Sequence, residues 1–214
     1  PLPEGGEDAV HTAELVNSYL SRAAEVLADE HPANMIITRG FSKMPDLPTL
    51  DRLYGLRAAA IATYPMYRAL AKLVGMEVLE TGPTIADQVE CLEKNWEGFD
   101  YFFLHYKYTD SRGEDGDFEA KVRCIEEVDA VIPRILALKP DVLVVTGDHS
   151  TPSLLKAHSW HPSPVVFHSR WERRDDVKSF GETECARGGL GIFPARHLMA
   201  MMLAASLRLA KYGA

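Results

Sequence analysis

From about Leu50 onward, short apolar runs alternate with segments whose apolar residues recur at helical spacing, and this alternation constrains the fold more than any other feature. Alternating strands and helices are typical of a parallel sheet with helices on both faces. The predicted strands are residues 58–62, 76–79, 101–106, 141–146 and 164–168. One predicted helix follows the first strand and ends near residue 74, and three others span residues 85–96, 118–138 and 194–211. The sequence therefore predicts the α/β class.

The first 47 residues follow a different pattern. Apolar residues from Leu15 to Leu27 lie on one helical stripe and predict a helix. Residues 34–38 form a short apolar run that predicts a strand, and the proline-bearing stretch FSKMPDLPTL after it is typical of a linker. We therefore predict two domains, residues 1–47 and residues 48–214.

Charge and hydropathy narrow the choice of partners. The 214 residues carry a formal net charge of -8, which argues against nonspecific binding to nucleic acid or to an anionic membrane. No apolar run approaches the length that a bilayer span needs. We expect a cytoplasmic protein with neither nucleic acid nor membrane as a partner, in which a local site holds any anionic substrate.

The segment VVTGDHSTP places polar residues directly after a strand that is apolar on successive residues, as a strand buried on both faces should be. Asp148 and His149 follow that strand at the carboxyl edge of the sheet, where ligand sites of open α/β sheets collect. One carboxylate and one imidazole suit zinc or manganese better than calcium. The alternative is that Asp148 caps a turn and His149 is an ordinary surface residue.

Two further clusters carry candidate ligands. Asp110 and Glu114 follow the strand at 101–106, and they would face one ion if this stretch is helical. Asp115 and Asp117 are predicted to cap the next helix, and Glu114 has the alternative of being a solvated loop carboxylate. The third cluster, AHSWHPSPVVFHS, holds three of the eight histidines. Of these, we take His158 as the candidate ligand and expect His168 to be a core residue.

Four segments together resemble one known family: TGDHSTPSLLKAHSWHP, TDSRGEDGDFEAKV, the RGF after residues 34–38, and YGLRAAAIA. They resemble the archaeal-type branch of the cofactor-independent phosphoglycerate mutases, which are members of the alkaline phosphatase superfamily. The resemblance runs nearly end to end. It implies an alkaline-phosphatase-like three-layer α/β sandwich with a mostly parallel sheet, incomplete here and preceded by the remnant of an inserted α+β cap domain.

The resemblance also implies a ligand set. Asp110 and His158 would bind one divalent ion, Asp148 and His149 would bind a second, and 2,3-bisphosphoglycerate would not be required. In that family a further Asp ligand and the nucleophilic Ser precede the cap, and no matching segment occurs before residue 50. We therefore expect residues 1–47 to be the end of the cap, residues 48–214 to be the C-terminal part of the catalytic domain, and the nucleophile to lie upstream.

Two departures from the family pattern affect the expected site. Glu114 stands where the family usually has a His ligand, and a carboxylate there would favour manganese or magnesium over zinc. A Lys expected near the first helix of the catalytic domain is replaced, and we match it to Arg68. Arg39 is the second candidate for binding substrate, since a guanidinium suits phosphate or carboxylate, and its alternative is an ordinary surface Arg.

By resemblance, the intact enzyme would interconvert 3-phosphoglycerate and 2-phosphoglycerate in glycolysis and gluconeogenesis, by moving the phosphoryl group onto a serine and back. One alternative is another phosphomonoesterase or phosphotransferase of the same superfamily, because a shared fold does not select a substrate. The other alternative is an inactive fragment with a metal-binding or oligomerising role. We expect a small phosphorylated three-carbon substrate, and a homo-oligomer is one of the possible assemblies. We expect the isolated chain to be inactive.

Overall fold

The computed structural model of the protein describes residues 5–209, which form two units that divide between Asp46 and Leu47. The first unit contains helix α1 (Glu7–Val26). The helices of the second unit are α2 (Leu50–Tyr54), α3 (Pro65–Leu73), α4 (Ile85–Asn95), α5 (Tyr108–Asp115), α6 (Phe118–Ala137), α7 (Glu182–Cys185) and α8 (Leu198–Ala205). Its strands are β1 (Ala58–Ala62), β2 (Glu77–Leu79), β3 (Tyr101–His105), β4 (Val142–Thr146) and β5 (Val165–Ser169). Short 3-10 helices span Trp96–Gly98 and Ala195–His197.

Strands β2, β1 and β3 form a parallel sheet in that order, so their carboxyl ends share one edge. The helical segments α3 and α4 connect these strands, as the alternating pattern of the sequence predicts. Strands β4 and β5 pair antiparallel in a separate two-stranded sheet. The α/β class with a parallel sheet is therefore confirmed.

The core lies between the parallel sheet and its helices. One buried cluster joins Ile61 of β1 to Cys91 and Leu92 of α4. A second joins Ile85 and Val89 of α4 to Val131 of α6. The α4 helix can pack closely because the central strand β1 is made of four alanines and one isoleucine, all of them buried.

Four details differ from the predictions. Residues 34–38 are not a strand, because none of residues 5–209 pairs with them and Ile37 is 93% exposed. The β4 strand is only half-buried rather than enclosed on both faces. The predicted helix at 194–211 begins as a 3-10 turn and ends at Ala205, while residue 211 lies outside the described residues. His168 is exposed on β5, an edge of the two-stranded sheet, so the prediction of a core residue was wrong.

Among residues 5–209, no helix is both long and apolar enough to cross a membrane.

The close packing of β1 gives a stability prediction. Ala59 is fully buried, so Ala59→Leu should force its neighbours apart and lower the free energy of unfolding by about 1–3 kcal/mol. Chemical denaturation of the purified chain measures this change. Ala130→Leu on the exposed side of α6 is the matched control and should change stability by less than about 0.5 kcal/mol. Equal stability of both variants would contradict the packing argument.

Candidate metal centre

Asp110 is held at the start of α5, just beyond the carboxyl end of β3. Its side chain is only 12% exposed. One carboxylate oxygen, Oδ2, accepts a hydrogen bond from the Lys107 ammonium, and the other, Oδ1, accepts one from the Thr151 hydroxyl at 2.5 Å. The carboxylate is thus fixed from two sides, with Oδ1 turned toward the loop that follows β4.

Asp148 and His149 lie on that loop, two and three residues after β4 ends. The backbone N–H of His149 donates to Asp148 Oδ1 at 3.0 Å, and His149 Nε2 lies 3.5 Å from Asp148 Oδ2. The other ring nitrogen, Nδ1, lies 3.8 Å from Asp110 Oδ1. His149 therefore stands between the two carboxylates.

His158 comes from the same loop and completes the cluster. Its Nε2 lies 3.6 Å from Asp110 Oδ1 and 3.5 Å from Glu114 Oε1. Its ring stacks on that of His149 with 3.8 Å between centroids. The helical turn of α5 places Asp110 and Glu114 on one side, as their spacing predicts.

Asp110, His149 and His158 each offer one ligand atom, and these atoms all lie within 4.8 Å of one another. A carboxylate oxygen with two imidazole nitrogens is a donor set that fits zinc or manganese. Glu114 and Asp148 stand next to this group and add oxygen donors. The residues present therefore fit a divalent-metal site that accepts mixed oxygen and nitrogen ligands.

The two aspartates are kept ionised. Burial raises the pKa of Asp110, but hydrogen bonds from Lys107 and Thr151 outweigh it and hold the pKa below its ordinary value. Burial likewise raises the pKa of Asp148, and the hydrogen bond from Tyr67 with the nearby His149 outweighs it in the same way. Both carboxylates are therefore charged and able to act as ligands at neutral pH.

Three side chains in this network were not predicted from the sequence. Tyr67 of α3 donates its hydroxyl to Asp148 Oδ2 and stacks on His105 with 3.7 Å between ring centroids. Burial and the bond to Asp148 raise the pKa of Tyr67, so the hydroxyl keeps its proton and remains a donor. Lys107 and Thr151 were detectable in principle, since each lies two or three residues from a predicted ligand, whereas nothing in the sequence marks Tyr67.

The structure gives the other predicted residues the following surroundings. Arg68 donates to the Ala62 carbonyl at 3.2 Å and pairs with Glu80 at 2.5 Å, at the carboxyl ends of β1 and β2. Arg39 is exposed in the first unit. Asp117 caps α6 by accepting from the Ala120 N–H, as predicted, whereas Asp115 ends α5 and pairs with Arg112 instead.

Comparison with known proteins shows which family the chain resembles. The chain is 57% identical over 208 residues to the probable 2,3-bisphosphoglycerate-independent phosphoglycerate mutase of Thermotoga neapolitana, covering 97% of the chain and 52% of the relative. The chain thus spans about half the length of the curated relatives it matches. The resemblance to this family that the motifs indicated is confirmed.

Two solved structures have folds similar to that of this chain. The PH0037 protein from Pyrococcus horikoshii matches with a TM-score of 0.87 and 27% identity, over 97% of this chain and 60% of that one. The cofactor-independent phosphoglycerate mutase from Thermoplasma acidophilum matches with a TM-score of 0.64 and 22% identity, over 92% of this chain and 52% of that one. Residues 4–205 match the metalloenzyme superfamily. Because that match spans most of the chain, the protein belongs to the metalloenzyme superfamily.

Proposed function

We propose that this chain supplies part of the metal centre of a phosphoglycerate mutase that interconverts 3-phosphoglycerate and 2-phosphoglycerate without 2,3-bisphosphoglycerate. The observation that carries the proposal is the meeting of Asp110, His149 and His158 within 4.8 Å. Relatives more than half identical bear the mutase name and support the choice of reaction. The cluster is the kind of site that such a phosphoryl transfer requires.

The proposed ligand pairs are those that the resemblance implies, and the distances between the side chains are compatible with them. Asp110 and His158 would hold one ion, since His158 Nε2 lies 3.6 Å from Asp110 Oδ1. Asp148 and His149 would hold the other, since His149 Nε2 lies 3.5 Å from Asp148 Oδ2. Glu114 would join the first pair and shift its preference toward manganese or magnesium. When bound, these ions supply positive charge that stabilises a phosphoryl group in transfer.

The chain's own residues hold this site in place. Lys107 neutralises part of the negative charge on Asp110, and Tyr67 orients Asp148 through its hydroxyl. Arg39 and Arg68 are the proposed substrate ligands, because a guanidinium presents paired donors to phosphate or carboxylate. For Arg68 this requires the side chain to exchange its ion pair with Glu80, whose carboxylate is 84% exposed, for the substrate.

The proposed roles differ between the two units. Residues 1–47 would be the end of the cap domain, and residues 48–214 would be the C-terminal part of the metal-binding catalytic domain. The nucleophilic serine would come from outside these residues. We therefore expect no measurable mutase turnover from the 214-residue chain alone with manganese and 3-phosphoglycerate. Turnover by this chain would show that the nucleophile lies within it.

A chimera tests the function itself. The part of the Thermotoga neapolitana relative that this chain does not cover would be fused to the N-terminus of this chain, because the nucleophile is expected upstream. We expect this protein to convert 3-phosphoglycerate to 2-phosphoglycerate with manganese and to lose the activity on chelation. Hydrolysis of an aryl phosphate without mutase activity would favour a phosphomonoesterase instead. A folded, metal-loaded chimera that does neither would contradict the proposal.

A further inference from the structure

The hydroxyl of Thr151 lies between two candidate ligands that come from different segments. Thr151 is 4% exposed, and its Oγ1 lies 2.5 Å from Asp110 Oδ1 and 3.0 Å from His149 Nδ1. Because the residue is buried, water does not compete freely for either contact. The hydroxyl therefore links α5 to the loop after β4.

The chemistry of the three groups fixes the direction of both hydrogen bonds. An ionised carboxylate only accepts, so Thr151 must donate its single proton to Asp110. The oxygen of Thr151 is then left as an acceptor, so the 3.0 Å contact to His149 requires a proton on Nδ1. A neutral imidazole with its proton on Nδ1 carries its lone pair on Nε2. That nitrogen lies 3.5 Å from Asp148 Oδ2.

We propose that Thr151 is a positioning residue that holds His149 in the Nδ1–H tautomer, so that Nε2 and the Asp148 carboxylate are presented together to one divalent ion. The inference rests on the proposed function, because it assigns the ligand atom within that metal centre. Ligating histidines commonly donate their second ring nitrogen to a neighbouring group, which fixes both the tautomer and the ring orientation. Here one hydroxyl does this for His149 and also fixes Asp110.

Thr151 is itself held in place. The Lys121 ammonium of α6 donates to the Thr151 carbonyl at 2.5 Å. Gly113 of α5 brings its backbone so close that an added Cβ would lie 2.3 Å from that same carbonyl oxygen. The two helices thus fix the backbone of Thr151 independently of its hydroxyl. Removal of the hydroxyl alone should leave the loop in place and should therefore test only the hydrogen bonds of the hydroxyl to Asp110 and His149.

The test is nitrogen NMR of the histidine rings in the full 214-residue chain, with the His149 signals assigned from their absence in His149→Gln. In the metal-free chain we expect a protonated Nδ1 and a bare Nε2, and added Zn(II) should shift Nε2. Thr151→Ser keeps the hydroxyl and should keep the tautomer. Thr151→Val keeps the shape, should give a mixture of tautomers, and should weaken Zn(II) binding about tenfold.

Each outcome decides a separate point. A proton on Nε2 of His149 in the metal-free chain would overturn the proposed positioning role of Thr151. A Zn(II) shift at Nδ1 would overturn the assignment of Nε2 as the ligand atom. Neither result would contradict the proposed function. If Zn(II) shifts no ring nitrogen of His149 or His158, both the proposed metal centre and the ligand assignment are overturned. If Thr151→Val does not fold, the unmodified chain and Thr151→Ser still decide the tautomer.

Discussion

Asp110→Asn is expected to weaken manganese or zinc binding by more than about 100-fold, the largest effect that we predict for a single substitution. Outer partners of metal ligands already contribute 10- to 100-fold to affinity, so loss of a ligand carboxylate should exceed that range. Asp110 Oδ1 lies 3.6 Å from Nε2 of His158, the proposed second ligand of the same ion. The amide keeps the shape of the side chain and removes its charge.

The substitution also disturbs the charge balance around α5. Lys107 is only 21% exposed at its side chain, and Asp110 is its ion-pair partner. With asparagine at position 110 the ammonium keeps a carbonyl acceptor but loses the opposite charge. A positive charge that is no longer neutralised beside the ligands would oppose the approach of a divalent cation. The loss of affinity therefore has two causes with the same sign.

Isothermal titration of the 214-residue chain with Mn(II) or Zn(II) measures the effect. Asp115→Asn is the matched control, because it makes the same change five residues later on the same helix. That side chain is 57% exposed and pairs with Arg112, and among the described residues it forms no hydrogen bond or ion pair with the proposed ligands. The affinity of Asp115→Asn for Mn(II) or Zn(II) should equal that of the unmodified chain. Equal binding by both variants would remove Asp110 from the ligand set.

Much of the fold was predictable because hydrophobic patterning reports burial directly. The run AAAIA predicted β1 with its observed bounds, and β2, α4, β3 and α6 lie within one residue of their predicted limits. Helix α5 had no predicted limits. Patterning fails where the partner of a segment is not among its neighbours in sequence. Residues 34–38 have the composition of a strand, yet a strand requires hydrogen bonds from another strand. The antiparallel pairing of β4 with β5 was likewise not encoded in their composition.

In the candidate site, too, residues marked by local sequence were predictable, and residues marked only by long-range contacts were not. Asp148 and His149 were identifiable because they follow a strand directly, and Asp110 and Glu114 because four residues make one helical turn. Tyr67 was not identifiable, since its contact with Asp148 joins residues 81 positions apart. Thr151 lies within the motif VVTGDHSTP, but its role was not identifiable, because its two hydrogen bonds depend on the packing of α5 against the loop.

Gly113→Ala should damage the centre without changing a single polar group. An added Cβ would lie 2.3 Å from the Thr151 carbonyl oxygen and 3.1 Å from Lys121 Nζ, so α5 and the loop must move apart. Overpacking of this severity costs about 3 kcal/mol, while the better helix propensity of alanine returns about 1 kcal/mol. We therefore expect a net loss of about 2 kcal/mol in the free energy of unfolding.

The same displacement should separate Thr151 from Asp110 and lower metal affinity by up to about 100-fold, as loss of outer support does in other metal sites. Gly98→Ala is the control, because an added Cβ there meets nothing within 4 Å. Thermal unfolding and Mn(II) titration of both variants separate the two effects. If Gly113→Ala lost stability but bound Mn(II) normally, the contact between α5 and the loop would serve the fold alone. That result would also mean that Asp110 and His149 keep their positions without close packing between the segments that carry them.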